Sequence, residues 1–166
     1  MLRYKKNSDN LDLAHIGDEI LAKKASLISD IQSSEIQALI DKMFDTMHKE
    51  KGVGLAAPQV NESKQLITID AEGEKFVFIN PTITSRSEDM ILFTEGCLSV
   101  PGEELPIIRH KKITVKYLDR DGKKCTLKAR DFLAVVCQHE VDHLNGVLIT
   151  DRHKKQEQLR KTLNIS

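Results

Sequence analysis

Gln138-His139-Glu140-Val141-Asp142-His143 is the stretch on which the reading of this chain turns. Residues four apart on an α-helix project from nearly the same face, so His139 and His143 can aim two imidazole nitrogens at one point. Glu140, next to the first histidine, can act on water at a metal without being a ligand. A surface helix with two solvated histidines would show the same residues, and the preceding sequence separates the two readings. Phe132, Val135 and Val136 stand three, four or seven residues before one or other histidine, on the same helical face. A solvated face would not carry Phe and Val, so the histidines point inward. A shared metal is then a better reading than two core histidines each satisfied by a carbonyl. Asp131 is placed to cap this helix, and Asn145-Gly146 to close it.

Working outward, Ser33-Ser34 predicts the start of an earlier helix, with Gln37 at the capping-box spacing from Ser34. Ile36, Leu39, Ile40, Met43, Phe44 and Met47 form one apolar stripe, read as core, and Lys51-Gly52 predicts the stop. A helical turn is expected around Asp18–Ala25. Gly52-Val53-Gly54-Leu55-Ala56-Ala57-Pro58-Gln59 suits neither a strand nor a helix. It would let the backbone pass close to something else, either as a tight turn or as a binding segment. A phosphate cradle is disfavoured, because no lysine-serine continuation follows and no strand precedes. Short strands are expected at Leu66–Asp70, Phe76–Asn80 and Met90–Thr94, with turns at Ala71–Glu74 and an end at Asn80-Pro81. Lys112–Leu118 and Lys124–Ala129 read as a hairpin about Asp119–Gly122. Past Ile149 a short terminal helix is expected, basic on balance. The predicted fold class is α+β: mostly antiparallel short sheets around a central helix carrying the histidines, with an N-terminal helix and a short C-terminal one.

A catalytic metal of this type takes three protein ligands and keeps an open position. In Thr94-Glu95-Gly96-Cys97-Leu98-Ser99-Val100-Pro101-Gly102, a cysteine follows glycine at a strand end, before a proline-containing loop. A thiol there could serve as a thiolate ligand or simply as a small buried hydrophobe. Cys125 lies in the hairpin and Cys137 just before Gln138, and neither has a loop to present it. Cys97 is therefore the preferred third ligand.

The 166 residues read as a single domain over 1–166, with 40% hydrophobic and 30% charged residues. The 25 basic and 25 acidic side chains cancel, which gives no electrostatic argument for DNA or a membrane as partner. Three cysteines make no disulfide framework and fit a reducing, cytoplasmic compartment. Residues 1–10 lead into no long apolar run, so neither a secretory signal nor a membrane span is expected.

Three segments together resemble the peptide deformylases: Gly52–Gln59, Glu95-Gly96-Cys97-Leu98-Ser99 and His139-Glu140-Val141-Asp142-His143, in that family's order. Val100-Pro101, Arg109 and Leu144-Asn145-Gly146 fit as well, and the resemblance runs from about residue 36 to residue 151. Gly17–Ala22 lacks the family's two prolines and arginine. Asn61 and Asp131 stand where relatives often have glycine, and Glu104 where some are basic. The resemblance implies that Cys97, His139 and His143 hold a divalent metal, ferrous iron favoured as physiological, with zinc, nickel or cobalt also accepted. It further implies that Glu140 takes a proton from the metal's water, and that the resulting hydroxide attacks the formyl carbon of an N-terminal formylmethionine. The backbone N–H of Leu98 and the amide of Gln59 would stabilise the oxyanion, and Glu140 would protonate the leaving amine. Gly54 would pair with the peptide backbone through the room its missing side chain leaves. Val53, Phe93, Phe132, Val135 and Val136 are the candidates for the methionine pocket. The partners implied are formylmethionyl nascent chains and, through Arg152, Lys154, Lys155, Arg160 and Lys161, ribosomal RNA. The compartment would be a bacterial-type cytoplasm or an organelle of bacterial origin. Two rival readings are an ordinary zinc peptidase of the His-Glu-x-x-His type and a catalytically silent binding protein. The first wants a further His or Glu ligand downstream, where only Asp151 and His153 are on offer.

Overall fold

The computed structural model of the protein describes residues 10–164. The stretch read as lacking a secretory signal lies outside the described residues except for Asn10. Ser33 caps helix α1 (Ser34–Lys49) by accepting from the Ile36 N–H. Gln37 does not complete a capping box. Its amide donates instead to the carbonyls of Ile31 and Arg120, tying the helix to a distant turn. The helix does not depend on that box. A cap is worth about 1 kcal/mol, whereas each fully buried large apolar side chain contributes roughly 1.5–3 kcal/mol. Ile40, Met43 and Met47 are all fully buried. The helical turn expected near Asp18 is a short 3-10 segment, Glu19–Ala22.

Among the described residues the strands are β1 (Gly54–Ala56), β2 (Leu66–Ala71), β3 (Glu74–Arg86), β4 (Met90–Cys97), β5 (Val100–His110), β6 (Lys112–Leu118) and β7 (Lys124–Arg130). They form a five-stranded sheet in the order β1-β2-β3-β6-β7 and a separate hairpin β4-β5, with every pairing antiparallel. Helix α2 (Asp131–Leu144) lies on one face of the larger sheet and α1 on the other. Strand β2 shows why both faces are covered, since Leu66, Ile67 and Ile69 are all buried although they alternate in direction. Ile67 and Ile69 join Phe78, Val115, Ala134 and Val136, while Leu66 joins Ile79, Ile40 and Met43. A third cluster, with Val100, Ile107, Leu148 and Ile149, packs β5 against the start of α3 (Ile149–Thr162). The α+β class and the central histidine-bearing helix are therefore as expected.

Three local expectations are corrected. Asn80-Pro81 does not end β3. Asn80 sits at φ +50° and the pairing with β6 slips between Ile79 and Thr82, so the missing proline donor falls in a bulge and the strand runs on to Arg86. The segment after Cys97 is not a loop but strand β5, whose pairing with β4 is irregular only next to the tight turn at Leu98-Ser99. Asp131 does not cap α2. The extended residue at the cap is Arg130 (φ −140°, ψ 160°), while Asp131, the first residue of α2, sits at φ +50° and its carboxylate accepts from Arg130 Nε.

Candidate active site

The segments that matter arrive from three directions. Helix α2 presents His139, Glu140 and His143, strand β4 ends on Cys97, and the 3-10 turn Ala57–Val60 after β1 presents Gln59. The sulfur of Cys97 and one nitrogen from each of His139 and His143 lie within 4.8 Å of one another. His143 Nε2 is 3.2 Å from His139 Nε2 and 3.4 Å from Cys97 Sγ. Tetrahedral ligation with the usual bond lengths would set nitrogen–nitrogen edges near about 3.4 Å and sulfur–nitrogen edges near about 3.6 Å. His143 thus stands almost at ligating separation from both other donors, and one thiolate with two imidazoles suits a divalent transition metal. Cys125 and Cys137 are not among them. Burial pushes the Cys137 thiol up to about 12, which would make it a poor thiolate. Of the downstream candidates, Asp151 accepts the Leu148 N–H at the start of α3 and His153 Nδ1 bonds the Pro106 carbonyl.

Charges around the donors follow from burial and contact. Burial acts to lower His139, but bonds to Cys97 and Glu95 outweigh it and hold the ring protonated up to about 10. Burial, with the His139 charge next, pushes His143 well below its ordinary value. A cation among these donors would compete with the proton on His139. His143 Nδ1 is buried without a protein partner. His139 is better held: its Nδ1 lies 2.8 Å from Glu95 Oε2, and Arg109 grips both oxygens of that carboxylate. Burial acts to raise Glu95, yet those bonds bring it down to about 2.

Glu140 is 4% exposed and its Oε2 has no protein partner. Burial raises its carboxyl to about 7, the range in which one group can both accept and return a proton. Gln59 is oriented at both ends. Its Oε1 accepts the Ala56 N–H, and its Nε2 lies 3.2 Å from Ser99 Oγ and 3.7 Å from Cys97 Sγ. A cleft of about 960 Å³ opens over the cluster. Val53, Gly54, Gln59, Phe93, Cys97, Leu98, Phe132, Val135, Val136, His139 and Glu140 all line it, so every candidate from the sequence except the more deeply placed His143 faces this space. Phe93 and Phe132 pack with their rings tilted by 45° and 5.5 Å between ring centres.

Gly54 is where the sequence reading needs correction. A Cβ there would fall 2.6 Å from Glu140 Oε1, so the room left by the missing side chain is taken by the carboxylate. Glu95, Ser99 and Asp142 were given no role from the sequence, and Arg152 was expected only among the basic residues of the terminal helix. A visible signal for two of them was the Arg109 that interrupts the inward Ile107 register of β5, since a buried arginine needs buried carboxylates.

Donors that would hold a divalent metal, set beside a buried base at the floor of a cleft, define a metal-dependent hydrolase. Comparison with known proteins carries this further. Residues 10–159 match the family described as polypeptide deformylase, and the chain belongs to that family. The peptide deformylase of Halothermothrix orenii is 46% identical over 144 residues, 86% of this chain and 92% of that protein. The peptide deformylase of Synechococcus elongatus, solved with actinonin, superposes at a TM-score of 0.84 with 42% identity, covering 93% of this chain and 86% of that one. A class I type b peptide deformylase from Acinetobacter baumannii, solved with Met-Ala-Ser, gives 0.82 with 37% identity, covering 86% and 98%. Among the described residues no helix is long and apolar enough to cross a membrane.

Proposed function

We propose that the chain, acting over residues 1–166 as one catalytic unit, removes the formyl group from N-terminal formylmethionine of new polypeptides and releases formate. Cys97, His139 and His143 hold the divalent metal. When bound, the metal supplies a Lewis acid that acidifies water and polarises the formyl carbonyl. Glu140 accepts the proton at its unpartnered carboxylate oxygen and returns it to the amine nitrogen as the C–N bond breaks. Gln59 Nε2 and the backbone N–H of Leu98 donate to the formyl oxygen as charge develops on it. The methionine side chain lies against Val53, Phe93, Phe132, Val135 and Val136, and the peptide backbone pairs beside Gly54.

The observation that carries this reading is the buried Glu140 carboxyl, without a protein partner and beside three converging donors. The Met-Ala-Ser held by the Acinetobacter baumannii relative supports a peptide with N-terminal methionine as the occupant of the cleft. Formate release from formyl-Met-Ala-Ser, by protein loaded anaerobically with ferrous iron, is the test. No formate from protein carrying one metal per chain would overturn the assignment. Zinc suits the donor set on softness alone, but resemblance to the family favours iron. Activity of the iron form should decay in air while the nickel form persists. Equal, oxygen-insensitive activity with every metal would remove iron.

The compartment is a bacterial-type cytoplasm, supported by the bacterial relatives and by a substrate made at the ribosome. Docking on ribosomal RNA would use the exposed Lys154, Lys155, Arg160 and Lys161 of α3. Arg152, expected to join them, is paired instead with Asp142. Co-sedimentation with ribosomes should fall when residues 154–166 are removed, and unchanged binding would reject the docking role.

A further inference from the structure

Behind the donor cluster, four charged side chains from four elements join in one row that ends on His139. Glu95 of β4 contacts the ring at Nδ1. Arg109 of β5 donates from Nε and Nη2 to the two Glu95 oxygens at 2.7 and 2.8 Å. Its remaining Nη1 reaches Asp142 of α2. Arg152 of α3 then donates to both Asp142 oxygens, from Nε at 2.7 Å and from Nη2. Signs alternate along the row, and burial decreases outward: Glu95 and Arg109 are 3% exposed, Asp142 14% and Arg152 35%.

We propose that Arg152 is a positioning residue for the metal centre, acting through Asp142, Arg109 and Glu95 on the orientation of His139. Arg109 is shared between two carboxylates. With Arg152 in place, Asp142 has a second cation and leaves Arg109 committed to Glu95. Without it, a largely buried carboxylate loses one of its two cations and draws the Arg109 guanidinium toward itself, because an uncompensated buried charge is costly. Glu95 then loses its clamp, and the His139 ring loses the contact that fixes its tilt. Residues that orient a ligand from behind typically change metal affinity by about 10–100-fold when removed. Arg152 stands four contacts from the ring, which places its effect at the low end. The inference rests on Cys97, His139 and His143 being the ligands.

Cobalt(II) is the probe, because its visible absorption reports the geometry of thiolate and imidazole ligation independently of turnover. Chelator competition gives its dissociation constant for the wild type, Arg152→Met, Arg152→Lys and Lys124→Met, an exposed lysine on β7 that controls for net charge. Arg152→Met should bind cobalt about tenfold more weakly with shifted bands. Arg152→Lys should recover part of the loss, and Lys124→Met should match the wild type. Wild-type affinity and spectrum in a folded Arg152→Met protein would overturn the proposal. So would an equal loss in Lys124→Met. Should Arg152→Met fail to fold, Arg152→Gln takes its place with the same two outcomes. Failure of the wild type itself to bind one cobalt per chain would refute the ligand set instead.

Discussion

At Gly54 a Cβ would meet the Glu140 carboxylate at 2.6 Å from Oε1 and 3.0 Å from Cγ and Cδ. Glu140 is deeply buried and cannot swing aside freely, so Gly54→Ala should displace the base while leaving the three metal donors in place. We expect kcat for formyl-Met-Ala-Ser to drop on the order of a hundredfold, with KM and metal content unchanged. A raised KM at normal kcat would instead mean that the glycine serves peptide approach. Glu140 itself couples function to stability. In the metal-free protein its folded pKa is about 7 against an ordinary value of 4.5, with burial the largest cause. Between those values the folded state binds more proton than the unfolded state, so stability falls as pH rises through the window, by on the order of 3 kcal/mol. The cost is absent below 4.5 and complete above 7. Glu140→Gln should therefore abolish activity and raise the Tm of the metal-free protein at pH 8, with little change at pH 4.5. An equal shift at both pH values would show that ionisation is not the cause. The two histidines and the base were legible at this scale because helical spacing alone brings them together, and Cys97 because a glycine and a turn flank it. What the gap at Gly54 holds was not, since a missing side chain does not say what fills its room.

Among the elements, β3 and β5 are where local sequence signals were overruled. Proline after asparagine reads as a strand end, yet Asn80 rescues the strand by taking a left-handed conformation and turning its side chain into a backbone surrogate. Its Oδ1 accepts the Ile28 N–H at 2.9 Å and its Nδ2 donates to the Ile28 carbonyl at 2.8 Å. Two glutamines do the same for the outer edge of β5: Gln138 bonds both backbone groups of His110, and Gln156 both of Ile108. An edge strand covered in this way needs no third strand and exposes fewer groups for pairing with another chain. None of these partners is near in sequence; 52 residues separate Asn80 from Ile28. By contrast, the hairpin of β6 and β7 was legible because its alternation and turn are local. Asn80→Ala removes two hydrogen bonds and puts a β-carbon residue that tolerates positive φ less well at φ +50°. It should cost about 2 kcal/mol in urea unfolding with an unchanged m-value. A loss under about 0.5 kcal/mol, within the range of ordinary surface changes, would mean that the bulge stands without its side chain.

Across the whole molecule, the N-terminal segment fastens together the three motifs that build the site. The Ala14 N–H donates to the Gln59 carbonyl, that of Ile16 to Ser99, and that of Ala25 to Leu144. One strap thus touches the glutamine turn, the cysteine turn and the end of the histidine helix. It was illegible in the sequence for a physical reason: these are backbone bonds, which any residue type can make. The motifs were legible because their chemistry requires particular side chains. The tightest point of the strap is Gly146, at φ +72° just past α2, where a Cβ would fall 2.6 Å from the Ala22 carbonyl carbon and 2.7 Å from its oxygen. Both obstacles are backbone, so neither can rotate away. Gly146→Ala adds the steric cost of a left-handed alanine, roughly 1–2 kcal/mol, to overpacking of about 1–3 kcal/mol. The strap would have to lift from the end of α2 to relieve the clash. We expect a lower Tm and, in the native state, faster hydrogen exchange at the amides of Ala14, Ile16 and Ala25 than at those of β2. Exchange accelerated equally in β2 would mean that the glycine supports global stability without a separable strap, and an unchanged Tm would refute the close approach itself.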